Sequence, residues 1–445
     1  VRILIWHGYL LRGTGSNEYT RALARVLARH GHEVVVLSQE PDPTAHDLGG
    51  AATVRPALPG RLPVFVLDRY EGLEPALLPD MPRAELDAFV AAQVEAIHAA
   101  GPADLLITNH VLLGGPVGAA SGLPYLVKVH GSELEYAMRG NPQLCQWARR
   151  TLEPAVGVLV GSEHIGRVVT ELVGLGPERL TVATPGVDVE QMRPQQRSSA
   201  LAALIEESRR DPAHHGDERL PDAGNAERLQ RFLTDQARPT VVYVGKLSEQ
   251  KGVHLLLEAL AGLDARAVVV GFGPARADLE QQAARLGVPA LFTGPLQHRH
   301  LRRLWALADV SVVPSVFPEA FGMVAAEAAA TGCPPLVARH SGLAEVAAGL
   351  EAFLPQHLHL VSFAPGDVAD LRAGVQRILS LSAADRAELA AGCRAAVESL
   401  WSWDSVAHQI LGTAMSGPHL AAVSPPQRSG TRPAGHALPR HPAGR

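Results

Sequence analysis

Apolar positions along this chain fall into two kinds of run. In the first part, short unbroken runs, "VRILIW", "HEVVVLS", "ADLLIT", "PYLVKV" and "VGVLVG", predict strands, and Glu18 to Arg29 and Arg83 to His98 carry helical spacing between them. The second part repeats the alternation with "PTVVYVG", "VHLLLEALAGL", "ARAVVVGFG", a helix over Asp278 to Leu286, "ALFTG", a helix over His300 to Leu307, "VSVVPS" and "PPLVAR". Strands that are apolar on both faces belong to parallel sheets covered by helices on each side. The expected fold class is therefore α/β, with two doubly wound parallel-sheet domains.

The alternation breaks between 191 and 238 into a charge-rich stretch containing "DPAHHGDERLPDAGN", flanked by short helical pieces, which reads as an extended interdomain linker between domains at 1–190 and 239–400. The segment 416–445 is rich in proline and glycine and has no acidic residue. It is expected to be a disordered, solvated tail, because it cannot bury enough apolar surface to offset the entropy of ordering.

A length of 445 residues suits two hydrophobic cores. The net charge of -5, with no clustered basic excess, argues against a nucleic-acid partner and for a small polar ligand. Three scattered cysteines, Cys145, Cys333 and Cys393, give neither a disulfide framework nor zinc-ligand spacing, and they suit a reducing compartment. No run reaches the ~18 apolar residues of a membrane span, and the opening lacks the pattern of a secretory signal. Cytoplasm is the expected location, with peripheral membrane contact through one amphipathic face left open.

Five motifs fall at predicted strand ends, where helix N-termini offer free N–H groups to a ligand. "RGTGSNEYTRAL" puts Gly13 and Gly15 before a helix, which serves either a phosphate or a plain turn. "VGKLSEQKGV" sets Lys246 and Lys251 beside another helix start, where two ammonium groups either hold a diphosphate between them or are solvated separately. Gly271 and Gly273 in "VVVGFGP" leave room for a ligand or make a turn, and His130 in "VKVHGSE" faces a cleft or sits satisfied in the structure. The fifth, "PEAFGMVAAEAAATG", spaces Glu319 and Glu327 eight positions apart with no other charge between. On one helix their Cα atoms would lie roughly 12 Å apart. Glycosidase carboxyl pairs stand ~5–9.5 Å apart, so two grips on one long ligand are favoured over an acid and base pair. The alternative makes Glu319 a favourable helix N-terminal charge and Glu327 an exposed side chain.

Taken in order, the glycine loop, "GHEVVVLS", "VHGSE", "PGVD" at Pro185 to Asp188, "GKLSEQKGV", "GFGP", "FTGPL" and "PEAFGMVAAEAAATGCPPLVA" resemble the retaining glycosyltransferases of family 4 over about 400 residues. That family has the GT-B fold, two Rossmann-like domains facing each other across a cleft. The resemblance implies a nucleotide-sugar donor, such as a UDP-, GDP- or ADP-sugar, in the C-terminal domain. It places a carbohydrate, lipid or small-molecule acceptor in the N-terminal one. Lys246 and Lys251 would bracket the donor diphosphate, with Gly15 closing on its distal phosphate and Gly271 and Gly273 beside it. Leu296 would meet the base through its backbone, and Glu327 the ribose. Glu319 would hold the transferred sugar, Phe321, Gly322 and Met323 would present backbone N–H groups, and His130 would lie near the reacting carbon. His130, Lys246, Lys251 and Glu319 are thus the expected catalytic set.

The resemblance implies no cofactor and no divalent metal, since lysines take the metal's place and no Asp-x-Asp cluster stands at a strand end. Lys246 replaces the family's usual arginine and offers a point charge rather than a fork. "GLEAFLPQHLHLV" replaces the usual glycine turn after "SGLAEV", and a terminal helix at about 401–415 would cross back to the first domain. A GT-B epimerase, a phosphorylase or a non-catalytic sugar-nucleotide-binding protein would use the same cleft. A nicotinamide-dependent oxidoreductase is disfavoured, because neither half has the Gly-x-Gly-x-x-Gly fingerprint with its ribose-binding acid.

Overall fold

The computed structural model describes residues 1–13, 15–67, 70, 72–211, 219–235 and 237–416. The expected tail lies outside the described residues, save Ser416.

Among the described residues, the first half of the chain carries nine strands: β1 (Arg2–Trp6), β2 (Glu33–Leu37), β3 (Ala52–Val54), β4 (Leu62–Val64), β5 (Pro75–Leu77), β6 (Leu105–Asn109), β7 (Tyr125–Lys128), β8 (Gly157–Val160) and β9 (Leu180–Val182). All but β4 and β5, which pair separately, form one parallel sheet in the order β3-β2-β1-β6-β7-β8-β9. The apolar runs explain it: Ile3, Leu4, Ile5 and Trp6 are fully buried, as strands covered on both faces must be.

The second sheet is built from β10 (Thr240–Val244), β11 (Arg266–Val270), β12 (Ala290–Phe292), β13 (Val310–Val313), β14 (Pro335–Ala338) and β15 (Ser362–Phe363). Its order is β12-β11-β10-β13-β14-β15, again parallel. Strand order reverses between β1 and β6 in the first sheet and between β10 and β13 in the second. A doubly wound sheet opens a ligand crevice at such a reversal, outside the carboxyl ends of the strands.

The stretch 191–238 is not an extended linker. It carries helices Arg197–Arg209 and Asn225–Leu233, whose Ala200, Leu204, Leu229 and Leu233 enter the core of the second domain. Several of its described charges, which suggest solvation when read alone, are committed to partners. Glu207 faces Arg302 and Arg303, and Asp211 accepts from Arg299 at 2.7 Å.

The terminal helix Trp403–Ser416 does return to the first domain. Val406, Ala407, Ile410 and Ala414 join Leu23, Ala24 and Leu27 of helix Gly15–Arg29 in one buried cluster. His30 and Asp404 add a contact of 2.6 Å, and Val187 N–H donates to the Trp401 carbonyl at 2.7 Å where the chain crosses. Among the described residues no helix is long and apolar enough to cross a membrane.

Candidate active site

A cleft of 920 Å³ lies between the two sheets, lined from one side by Gly15, Tyr19, His110 and His130 and from the other by Val244, His298, Met323 and Glu327. Four residues singled out by sequence therefore meet here: Gly15, His130, Met323 and Glu327. Gly15 is the first residue of helix Gly15–Arg29 rather than a residue ahead of it, with open space where a Cβ would stand.

On the first-domain side, the ends of β6 and β7 build a buried polar cluster. Glu133 is fully buried and accepts from the backbone N–H of His130 at 3.1 Å and of Val111 at 3.3 Å. Its second oxygen meets His110 Nδ1 at 3.2 Å. His130 Nε2 bonds Asn109 Oδ1 at 2.6 Å, and the His110 and His130 rings stand 4.7 Å apart. His110 holds a left-handed backbone, φ 67°, an uncommon cost for a residue other than glycine that tends to persist at functional sites.

Burial governs the charges in this cluster. It pushes Glu133 up, but the charge of His110 and the hydrogen bonds that the carboxylate accepts outweigh it and hold the group below the usual carboxylate range. Burial, reinforced by His110, Lys128 and His7, drives His130 well below the ordinary histidine value. Lys128, fully enclosed with Nζ 2.5 Å from the Ala183 carbonyl, is brought down to about 7 by burial. His7 falls to about 3 for the same reason.

A pH dependence follows. Below its unfolded value of 6.5, His7 gains a proton in the unfolded chain but not in the folded one until about 3, and His130, driven down by burial, shifts in the same direction. Their contribution is complete above 6.5 and declines as pH falls. Each histidine should cost about 1.4 kcal/mol per pH unit below that point. Thermal unfolding followed from pH 7 to pH 5 should show the midpoint falling steadily; a flat profile would refute the neutral, buried assignment.

On the second-domain side, the crevice between β10 and β13 is flanked by two loops. Lys251 ends the short turn Glu249–Lys251 after β10, and Glu319 follows β13. Lys251 Nζ is paired with Glu319 Oε1, which Ser315 Oγ also reaches at 2.5 Å. Glu319 N–H donates to Ser341 Oγ at 2.9 Å, and Val316 N–H to the Gln250 carbonyl at 2.9 Å, so the loops are fastened to each other. Gly252 allows this approach: it is left-handed, and a Cβ there would stand 2.0 Å from the Pro314 carbonyl oxygen. Glu319 does not share a helix with Glu327, because the helix begins at Met323. The pair therefore lacks the helical spacing expected of it.

Lys246 lies in the loop after β10, its carbonyl accepting from Tyr243 Oη at 2.9 Å. Gly271 and Gly273 are needed by backbone packing: added Cβ atoms would stand 1.8 Å from the Gly245 carbonyl oxygen and 2.3 Å from that of Leu247. Phe321 turns inward onto Trp401, with ring centroids 5.5 Å apart, and Gly322 precedes the helix with its Cβ position 2.7 Å from Leu343. Leu296 packs against the second core. None of these, nor Lys251 and Glu319, lines the 920 Å³ cavity itself.

The two domains touch beside this site. Glu345 accepts from the N–H groups of Glu163 and His164, each at 2.8 Å, at the start of the first-domain helix Glu163–Val173. A Cβ on Gly131 would lie 3.9 Å from Ala320. The residues next to His130 and Glu319 therefore face each other across the domain boundary.

Sequence reasoning passed over Asn109, His110, Glu133 and His298. The signals were modest: "TNH" at the end of β6, the glutamate three residues after His130, and a histidine in "PLQHRH". His298 Nε2 stands 3.1 Å from Glu327 Oε1. One group of metal-compatible spacing, His357, Asp385 and Glu388, occurs among the described residues, and none of the three lines the cleft.

Two doubly wound domains with strand-end loops converging on one cleft define a GT-B protein. The family model described as Glycosyltransferase Family 4 matches residues 13–191, and that described as Glycosyl transferases group 1 matches residues 226–394. The chain belongs to glycosyltransferase family 4 and is a glycosyltransferase. It is 28% identical over 424 residues to the D-inositol 3-phosphate glycosyltransferase of Mycobacterium tuberculosis, covering 90% of this chain and 78% of the relative. Among solved structures, Anabaena HepE in complex with UDP superposes with a TM-score of 0.66 at 19% identity, covering 94% of this chain and 100% of that one. Sucrose-phosphate synthase from Thermosynechococcus elongatus gives 0.62 at 22% identity, with 92% and 97% covered.

Proposed function

We propose that this glycosyltransferase moves a sugar from a nucleotide-sugar donor to an acceptor hydroxyl with retention of configuration and without a divalent metal. The observation that carries this reading is the Lys251 and Glu319 pair at the β10/β13 reversal, set across the domain boundary from the His130 segment.

The donor diphosphate would lie between Lys251 and Lys246, with its ribose at Glu327 and its sugar at Glu319. As the bond between the anomeric carbon and the phosphate oxygen breaks, negative charge grows on the diphosphate, where the lysines and the N–H groups of Phe321, Gly322 and Met323 would meet it. The acceptor oxygen bonds to the same face of the anomeric carbon, and its proton passes to the departing phosphate oxygen. His130, held neutral by burial, would orient the sugar as a hydrogen-bonding group rather than as a cation. HepE, solved with UDP and with UDP-glucose, supports a uridine nucleotide as the first donor to try. The mycobacterial relative supports a small polyol acceptor.

The test is release of nucleoside diphosphate from UDP-, GDP- and ADP-sugars in EDTA, with and without inositol phosphates, other sugars and lipid acceptors. Acceptor-dependent release in step with glycosylated product supports transfer. Isomerised donor without an acceptor would indicate an epimerase, a need for inorganic phosphate would indicate a phosphorylase, and binding without turnover would indicate a sensor.

A further inference from the structure

His298 is the first residue of helix His298–Leu307, and like Glu327 it lines the cleft. Its Nε2 contacts Glu327 Oε1 at 3.1 Å, while Oε2 has no hydrogen bond among the described residues. The carboxylate is mostly enclosed, and the imidazole is 56% exposed at the rim. From the opposite domain, Glu18 and Arg21 of helix Gly15–Arg29 face this ring. Arg21 is itself engaged by Glu18 and by His46. The neighbouring cations on the His298 helix are also committed, Arg299 to Asp211 and Arg302 to Glu207.

A lone carboxylate at this point would repel any ligand carrying a diphosphate, and it would be free to turn between rotamers. A cation bonded to one oxygen corrects both faults. We propose that His298 is a positioning residue of the nucleotide site: its imidazolium fixes Glu327, leaves the second oxygen for ribose hydroxyls, and cancels the charge that would oppose a nucleoside diphosphate. This rests on the donor site proposed above.

The hydrogen bond to Glu327 and that group's charge, opposed by burial, raise the ring to about 9 from 6.5. Glu18 adds to the rise and Arg21 opposes it. The imidazolium is therefore present at pH 7 and lost as pH climbs through about 9, so nucleotide affinity should weaken over that interval.

Calorimetric titration of UDP, GDP and ADP into the full chain and into His298→Gln, at pH 7 and pH 10, tests this. For the nucleotide that binds best, the variant should bind about tenfold more weakly at pH 7, and the difference should shrink toward none at pH 10. Taking the ratio of the two proteins at each pH cancels titration of the nucleotide itself. His298→Lys, which keeps a cation, should recover most of the affinity at pH 7. A ratio near one at pH 7, or the same tenfold loss at both pH values, would overturn the role given to His298 while leaving the donor site standing. Failure of the unsubstituted chain to bind any of the three nucleotides would overturn the donor site itself. The ring is exposed enough that neither substitution threatens the fold, which matching unfolding midpoints would verify.

Discussion

Replacing Lys251 by alanine should lower kcat about 10²–10³-fold, the usual cost of removing one preorganised group aimed at charge that develops in the transition state. The size of the effect follows from how firmly the lysine is held. Its loop is fixed by Gly252, which no residue with a Cβ could replace without striking the Pro314 carbonyl oxygen, and by the bonds of Val316 and Phe317 N–H to the Gln250 carbonyl. The loop that carries the cation is thus fixed at the β10/β13 crevice before the donor arrives. Stability should hardly change, because the side chain is one-third exposed and an ion pair this accessible contributes under ~1 kcal/mol. Steady-state rates together with thermal unfolding separate the two effects. A loss below fivefold in a folded Lys251→Ala protein would remove Lys251 from the catalytic set.

Glu133→Ala should be the most destabilising of the site substitutions, by roughly 3–5 kcal/mol, because it strips a buried charge from partners that have no alternative. The His130 and Val111 N–H groups and His110 Nδ1 all lose their acceptor in a fully buried setting. In a domain of this size the unfolding midpoint should fall by roughly 10 °C. Transfer should fall too, since His130 loses the contact that fixes its backbone. Glu133→Gln keeps the volume and one acceptor oxygen and should cost less than half as much. Differential scanning calorimetry of both variants decides; a midpoint within 2 °C or so of the parent for Glu133→Ala would contradict this description of the cluster.

Much of the fold is legible in sequence because buried parallel strands must be apolar on both faces, and "VRILIW" or "ARAVVVG" can hardly be anything else. β3, β9 and the β4–β5 pair are not legible: each strand is three residues long, and in β3 the exposed Ala52 and Thr53 give no run to detect. The stretch 191–238 conceals its helices for a different reason. "RSSALAALIEESR" does place Ala200, Leu204, Ile205 and Ser208 on one buried face, but the charges around them suggest solvent. Only the partner helix, with Arg299, Arg302 and Arg303, shows that those charges are neutralised at an internal contact.

The site divides the same way. The types of residue at strand ends point to an anionic, hydroxyl-bearing ligand, yet the pairing of Lys251 with Glu319 across 68 positions depends on strand order, which spacing does not encode. Gly271 and Gly273 are recognisable as indispensable small residues, while the reason, carbonyl oxygens of Gly245 and Leu247 within 2.3 Å of any Cβ, is purely tertiary. His298 and Glu133 escape detection because a single histidine or glutamate carries no pattern until its partner is known.

Metal-free transfer with retention is put to the test by proton NMR of the product formed from an α-linked nucleotide sugar in the presence of EDTA. Nucleoside diphosphate should be released one for one with a product whose anomeric proton keeps the α configuration. A β-linked product, or transfer that stops on chelation and returns with a divalent cation, would contradict it.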